Sequence, residues 1–212
     1  MSWEMFSLIG TIAFTISGAY VAMEEEYDIL GVFVLGLVTA FGGGVIRNLL
    51  IGVDVTMLWQ QGLYLNTAVI ATVIVFILPT RWIQKWKSFE VILDAIGLSA
   101  FAIQGALYAT ERNLPLSAVI VAAMLTGIGG GIIRDLLAGR KPLVLRDEIY
   151  AVWAIFAGMV IHTGWMKTPA QLYALFVLVI LLRMMSVYYK WKLPRRSLRE
   201  PDAQEKQWEI GG

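Results

Sequence analysis

The sequence predicts an all-α integral membrane protein with seven transmembrane helices, in which two inverted three-helix repeats are followed by a seventh helix. Three observations predict this fold: a very apolar composition, seven apolar runs of membrane-spanning length, and a segment that occurs twice. Of the 212 residues, 58% are hydrophobic and 16% are charged, whereas soluble domains are about 25% charged. The mean hydropathy is +0.69.

Seven apolar runs have the length of about 17–25 residues that a membrane-spanning helix needs. They lie at about residues 5–23, 29–51, 62–79, 89–109, 115–138, 149–165 and 169–189. The tail at 191–212 carries mixed charge and two prolines, and we expect it outside the membrane. The whole chain, 1–212, is therefore expected to form one membrane domain with a polar tail.

A duplication relates the two halves of the chain. Residues 9–52 match residues 96–139 at 20 of 44 positions without a gap. The matches include glycine, glutamate and arginine at equal spacing, so a shared apolar composition does not explain them. Because each repeat holds an odd number of spans, the second copy enters the membrane in the opposite sense. We therefore predict inverted repeats over about 5–79 and 89–165, followed by the helix at 169–189.

Each repeat contains three consecutive glycines within a span, in FGGGVIRNLLIG and in IGGGIIRDLLAG. A glycine inside a helix costs about 1 kcal/mol relative to alanine, which indicates that these glycines serve a purpose. One interpretation is a broken or kinked helix whose freed backbone groups face a water-filled path or a solute. The alternative is close packing of two helix backbones. The candidate pathway residues in these runs are Gly42, Gly43, Gly44, Gly129, Gly130 and Gly131.

An arginine follows each glycine run by three residues, one helical turn further along the same face. Arg47 and Arg134 therefore lie beside the path or helix contact that the glycines face. An arginine inside a bilayer costs about 3 kcal/mol or more. Three interpretations are open: a charge that gates a pore, a partner for the carboxyl end of a helix, or an ion pair with Asp135 or Asp94.

Further polar residues lie in or beside the predicted spans. Asp94 begins the apolar part of the fourth span, where it is either an intramembrane functional carboxylate or an interfacial helix cap. Gln104 and its repeat counterpart Ser17 are candidates for lining the pathway or for hydrogen bonds between helices. The acidic run at 24–26 is interpreted as a solvated loop or as a pore mouth that concentrates cations.

The composition offers little for catalysis or for metal binding. The chain has no cysteine and a single histidine, which excludes thiolate sites and histidine clusters. The predicted spans also hold no nucleophile–base pair and no glycine-rich phosphate loop. We therefore expect no enzyme activity, no cofactor, no bound metal and no nucleic-acid partner.

The doubled Gly-Gly-Gly-x-x-Arg-(Asn/Asp) motif, together with DAIG at 94–97 and FAIQGA at 101–106, resembles a known family. This is the bacterial glycine-transporter domain family, which is related to the trimeric intracellular cation (TRIC) channels. The resemblance implies a homotrimer in which each protomer has its own pore for monovalent cations, mainly potassium, with the second and fifth helices at its centre. It also implies that the glycine runs are kinks lining the pore and that Arg134 lies near the constriction, with Arg47 as its counterpart.

One position departs from the repeat. The first copy has Asn48 where the second has Asp135, so an acid–base pair with the neighbouring arginine is possible only in the second copy.

Two functions remain open at this point. A passive channel for potassium or sodium is favoured by the TRIC resemblance and by the scarcity of charge in the spans. A secondary transporter of glycine or another small neutral solute is favoured by the other family name and by the broken-helix architecture of such transporters. Either function places the protein in the plasma membrane, in contact with lipid.

The distribution of lysine and arginine predicts the orientation in the membrane. Twelve of these residues fall on the side of the tail, and only Arg112 and Lys167 fall on the other. Because cytoplasmic loops carry the excess of positive charge, we predict an external amino terminus and a cytoplasmic carboxyl terminus. Reporter fusions at residue 212 and after Asp54 should report the cytoplasm and the outside, respectively. An external tail would contradict either the helix count or the orientation.

Overall fold

The structure, a computed structural model, describes residues 2–56, 62–79, 87–145 and 149–194. Over these residues it is helical without strands, and the seven expected helices are confirmed. They are α1 (Ser2–Glu24), α2 (Ile29–Leu50), α3 (Gly62–Ile77), α4 (Lys87–Thr110), α5 (Leu116–Leu137), α6 (Ala151–His162) and α7 (Pro169–Tyr188). A 3₁₀ turn at Leu143–Leu145 follows α5.

Five of the helices, α1, α2, α4, α5 and α7, are long and apolar enough to span a membrane. The helices α3 and α6, with 16 and 12 residues, are shorter than the spans expected at 62–79 and 149–165. Helix α3 ends before Pro79 because proline disfavours the helical conformation in the residue that precedes it. Helix α6 ends where Gly164 turns the chain with a φ of +73°, a conformation that glycine adopts readily.

The two repeats are arranged around the contact between α2 and α5. Helix α1 packs on α2 as α4 packs on α5, and α1 also packs on α4. At the centre, the ring of Phe14 lies against Gly97 and the ring of Phe101 lies against Gly10, and these two pairs are repeat-equivalent. The rings meet edge to face with centroids 5.3 Å apart. The contacts therefore follow the approximate twofold relation that inverted repeats predict.

The last turns of α2 and α5 end in the same way. Gly52 and Gly139 follow these helices with φ of +69° and +70°, the left-handed conformation that commonly ends a helix. The next N–H group in each case donates to the carbonyl oxygen of Asn48 or of Asp135, both at 2.8 Å. These bonds fix the carboxyl end of each central helix directly beside its arginine.

The glycine runs do not break the central helices. Both α2 and α5 are continuous through them, so the expected interruption is wrong, while a bend within the continuous helix stays a prediction. A Cβ atom on Gly43 would lie 2.6 Å from the carbonyl oxygen of Thr126, and one on Gly130 would collide with the carbonyl oxygen of Thr39. The missing side chains therefore let the backbones of α2 and α5 touch, which is the close-packing alternative.

Many of the charges that predict the orientation lie outside the described residues. They are Arg81, Lys85, Arg146 and the basic residues of the tail beyond 194. The external position of the amino terminus therefore stays a prediction.

We predict that Gly43→Ala destabilises the folded protein by about 1–3 kcal/mol, the usual cost of overpacking. The added methyl group would meet the backbone of α5 at Thr126. Gly44→Ala is the matched control in the same run, because its Cβ would have only Arg47 Nη2 nearby, at 3.8 Å. Thermal unfolding of the purified proteins in detergent measures the difference. Equal midpoints for the two variants would contradict a packing role for Gly43.

Candidate functional site

Arg134, in the last turn of α5, is buried, with 1% of its side chain exposed. Its Nη1 atom donates to Ser17 Oγ on α1 at 2.6 Å and to Asp94 Oδ1 on α4 at 3.1 Å. Its Nε atom donates to Asp135 Oδ1 at 2.8 Å. The structure thus joins four of the candidate residues, and Arg134 forms ion pairs with both carboxylates proposed as its partners. We call these four residues the Arg134 cluster.

Asp94 is a buried carboxylate and not a helix cap. It lies eight residues into α4, which begins at Lys87, and its side chain is 1% exposed. The interfacial-cap interpretation is therefore wrong. An isolated buried carboxylate costs several kcal/mol. The ion pair with Arg134 offsets this cost and allows Asp94 to be buried.

Arg47, in the last turn of α2, repeats this arrangement with neutral partners. Its Nε and Nη2 atoms donate to Asn48 Oδ1 at 3.0 and 2.8 Å, and its Nη1 atom donates to Gln104 Oε1 at 2.8 Å. Its guanidinium lies 4.4 Å from the ring centroid of Tyr108. Gln104 is the repeat counterpart of Ser17, so each arginine reaches across to the other repeat at equivalent positions.

A cavity of about 40 Å³, lined by both polar and apolar residues, lies beside Arg47. Its polar lining residues are Ser7, Thr11, Arg47, Asn48, Tyr64, Gln104 and Thr126. This volume exceeds what a water molecule needs. We call it the Arg47 cavity. Gly44 of the first glycine run also lines it, whereas Gly43 lies in the contact with α5.

The corresponding space beside Arg134 does not admit a water molecule. It is lined by Gly131 and Tyr150 and is covered by Leu143 and Val144 of the 3₁₀ turn. The N–H group of Leu143 donates to Asp135 Oδ2 at 3.0 Å, which ties this turn to the Arg134 cluster. The two ends of the α2–α5 contact therefore differ: one borders the Arg47 cavity and the other is closed.

The acidic run at 24–26 is exposed, as expected for a solvated loop, but two of its residues have a partner. Glu24 and Glu25 each pair with Arg140, which follows α5, at 2.6 Å. The hydroxyl of Tyr27 also donates to the carbonyl oxygen of Leu137 at 2.7 Å. The loop after α1 is thus attached to the end of α5, on the closed side.

Sequence reasoning missed two residues near the Arg134 cluster. Arg183 of α7 is buried, and its guanidinium lies 4.6 Å from the ring centroid of Tyr150. A Cβ on Gly131 would lie 3.4 Å from the Tyr150 hydroxyl and 3.6 Å from Asp94 Oδ1, so the hydroxyl borders the cluster. A signal for Arg183 was present in the sequence, because it is the only charge within the apolar run at 169–189 and such charges mark functional sites.

Among the described residues, no group of three or more histidine or carboxylate side chains could hold a metal ion. The chemistry of the site is therefore that of fixed charges and hydrogen-bond donors. Such a site can orient or repel a small ion and can hold helices together, and it offers no activated nucleophile.

Comparisons with known proteins agree with this architecture. The chain superposes on a TRIC cation channel with a TM-score of 0.80 and 36% identity, covering 93% of this chain and 98% of that one. It also superposes on the TRIC channel orthologue from Rhodobacter sphaeroides with a TM-score of 0.77 and 32% identity, covering 89% and 98% of the two chains.

Sequence relatives extend over nearly the whole chain. The chain is 60% identical to the UPF0126 membrane protein YvgT of Bacillus subtilis over 199 residues, which are 94% of this chain and 98% of that protein. It is 35% identical to the inner membrane protein YadS of Escherichia coli, over 91% and 95% of the two chains. The model of the glycine transporter family matches twice, at residues 4–80 and 91–167, once in each repeat. The chain therefore belongs to the glycine transporter family of UPF0126 membrane proteins, whose fold it shares with the TRIC cation channels.

Proposed function

We propose that the protein is a homotrimeric channel for monovalent cations, permeable to potassium, with one pore in each protomer between α2 and α5. The similarity to TRIC cation channels over nearly the full chain supports a cation channel. The observation that carries the pore assignment is the pairing of the Arg47 cavity at one end of the α2–α5 contact with a closed, charged cluster at the other.

The Arg134 cluster acts in this proposal as the closed gate. Its guanidinium is held by Asp94, Asp135 and Ser17, and the small space that it lines with Gly131 and Tyr150 does not admit a water molecule. Opening requires this side chain to leave at least part of its hydrogen-bond set. Leaving one partner of a buried ion pair without its counter-charge typically costs about 3–5 kcal/mol, so a movement of Arg134 that leaves Asp94 or Asp135 buried and unpaired is unfavourable.

The membrane potential supplies a force on such a gate. A unit charge that crosses the whole field gains about 2.3 kcal/mol per 100 mV. A partial displacement of Arg134 captures a fraction of this energy. The proposed channel is therefore voltage dependent if Arg134 moves along the field when the gate opens.

The second candidate function, transport of glycine or another small neutral solute, has the name of the family model in its favour. It depended on broken helices, which present backbone groups to a solute. Because α2 and α5 are continuous, that part of its support is gone. The Arg47 cavity, at about 40 Å³, is also far below the volume of typical ligand pockets, about 300 Å³ or more.

We predict that Arg134→Ala changes potassium conductance or its voltage dependence in planar bilayers, while the channel remains cation-selective. If the closed state loses as little as about 1.4 kcal/mol relative to the open state, the ratio of open to closed channels rises about tenfold. Lys167→Ala is the control, since it also removes one positive charge but from an exposed loop. Native mass measurement should give a trimer for both variants. If Arg134→Ala carries the same current as the wild type, Arg134 is not part of the gate.

We also predict that millimolar glycine changes neither the current nor the thermal stability of the protein. A channel needs no tight substrate complex, whereas a transporter must bind its solute to change conformation. Thermal unfolding with and without glycine, alongside uptake in the same vesicles, measures this. Two results together would favour the transporter over the channel: glycine stabilises the wild type but not Arg134→Ala, and no single-channel events are seen.

A further inference from the structure

We infer that the Arg47 cavity binds a small monovalent anion of about the size of chloride, which acts as the counter-ion of Arg47. The inference concerns the cavity that the proposed function places at one end of the pore, and it adds an occupant that conduction of cations does not require. It stands on the geometry around Arg47 alone, and it does not depend on the proposed function.

The first argument is charge balance between the repeats. Arg134 is paired with Asp94 and Asp135. The residues equivalent to these carboxylates in the first repeat are Ser7 and Asn48, which are neutral. Within the described parts of the chain, no carboxylate forms an ion pair with Arg47, although it is only 4% exposed. A buried charge without a counter-charge is strongly unfavourable. An anion that binds beside Arg47 supplies this counter-charge, so its binding is favourable.

The second argument is the chemistry of the cavity wall. Three of the five N–H bonds of a guanidinium suffice for the bonds from Arg47 to Asn48 and Gln104, which leaves two as donors. The side-chain amides of Asn48 and Gln104 accept through their oxygens and keep their NH₂ groups as donors. Hydroxyl groups of Ser7, Thr11, Tyr64 and Thr126 complete the wall, and those of Tyr64 and Thr126 donate to the backbone carbonyl oxygens of Glu4 and Ala122. The lining thus contains one positive charge, two side-chain amides with N–H donors and no carboxylate, which suits an anion better than a cation.

The third argument is size. A cavity of about 40 Å³ is a few times larger than the roughly 10–15 Å³ that one water molecule needs on the same measure, so it admits an ion of about that size. A single halide ion is comparable with a water molecule, whereas a large anion such as gluconate is not. The cavity therefore discriminates between anions of the same charge by their volume, and this makes the inference testable by anion exchange.

The experiment compares thermal unfolding of the purified full-length protein in potassium chloride and in potassium gluconate at equal potassium concentration and ionic strength. We expect chloride to raise the midpoint saturably, by about 2–4 °C when it is several-fold above its dissociation constant. Bromide should give the same shift and an anomalous scattering peak beside Arg47 in crystals. Arms with formate and with glycine identify a carboxylate occupant, because only such an occupant would make their shifts exceed that of chloride.

Two variants separate the site from general salt effects. Asn48→Asp installs the carboxylate that the second repeat has at this position, and it should abolish the chloride shift while Arg47 remains in place. Arg47→Gln should abolish it as well, and Lys167→Ala should keep it, since that residue is an exposed loop cation. If Arg47→Gln does not fold, Asn48→Asp still decides the question. Equal unfolding midpoints of the wild type in chloride and gluconate, or an undiminished chloride shift in Asn48→Asp, would overturn the anion site and leave the channel proposal untouched.

Discussion

The ion pairs and hydrogen bonds of Arg134 join three helices of the bundle at one buried point. A guanidinium taken out of water loses solvation worth several kcal/mol even after relaxation, and here that loss is offset by Asp94 from α4, Asp135 from α5 and Ser17 from α1. Because the partners come from three helices, a single side chain fixes the relative positions of those helices. The glycine contact between α2 and α5 then determines how closely the two repeats approach each other.

The duplication explains why much of this could be predicted from the sequence. Matched residues such as Phe14 and Phe101 lie in matched surroundings, each against a glycine of the other repeat. The helix number, the inverted pairing and the identity of the charged candidates follow from length, hydropathy and the 87-residue shift. The pairing of Arg134 with Asp94 and Asp135 was among the open interpretations, because few other charges lie within the spans.

The role of the glycine runs could not be predicted, because it depends on residues distant in the sequence. A glycine that breaks a helix and a glycine that admits a neighbouring backbone look the same locally. Only the carbonyl oxygens of Thr39 and Thr126, which belong to the opposite central helices, decide between the two. The position of Tyr150 beside the Arg134 cluster is likewise set by tertiary packing, since this residue follows the short turn that covers the cluster. Cavity volume has no sequence signature at all.

The two repeats differ in sequence at the residues around their arginines, so the two ends of the α2–α5 contact differ in charge and in space. An inverted repeat without sequence divergence would present the same structure to both sides of the membrane. Here two replacements, Asp94 for Ser7 and Asp135 for Asn48, give one arginine two carboxylates and leave the other with amides. The space beside Arg134, which has the two carboxylates, does not admit a water molecule. A cavity of about 40 Å³ lies beside Arg47, which has the neutral partners. In the proposed channel, a cation that approaches from the Arg47 side meets a positive charge that the described protein residues do not neutralise. An anion in that cavity would lower this first electrostatic barrier, and the Arg134 ion pairs would form the second.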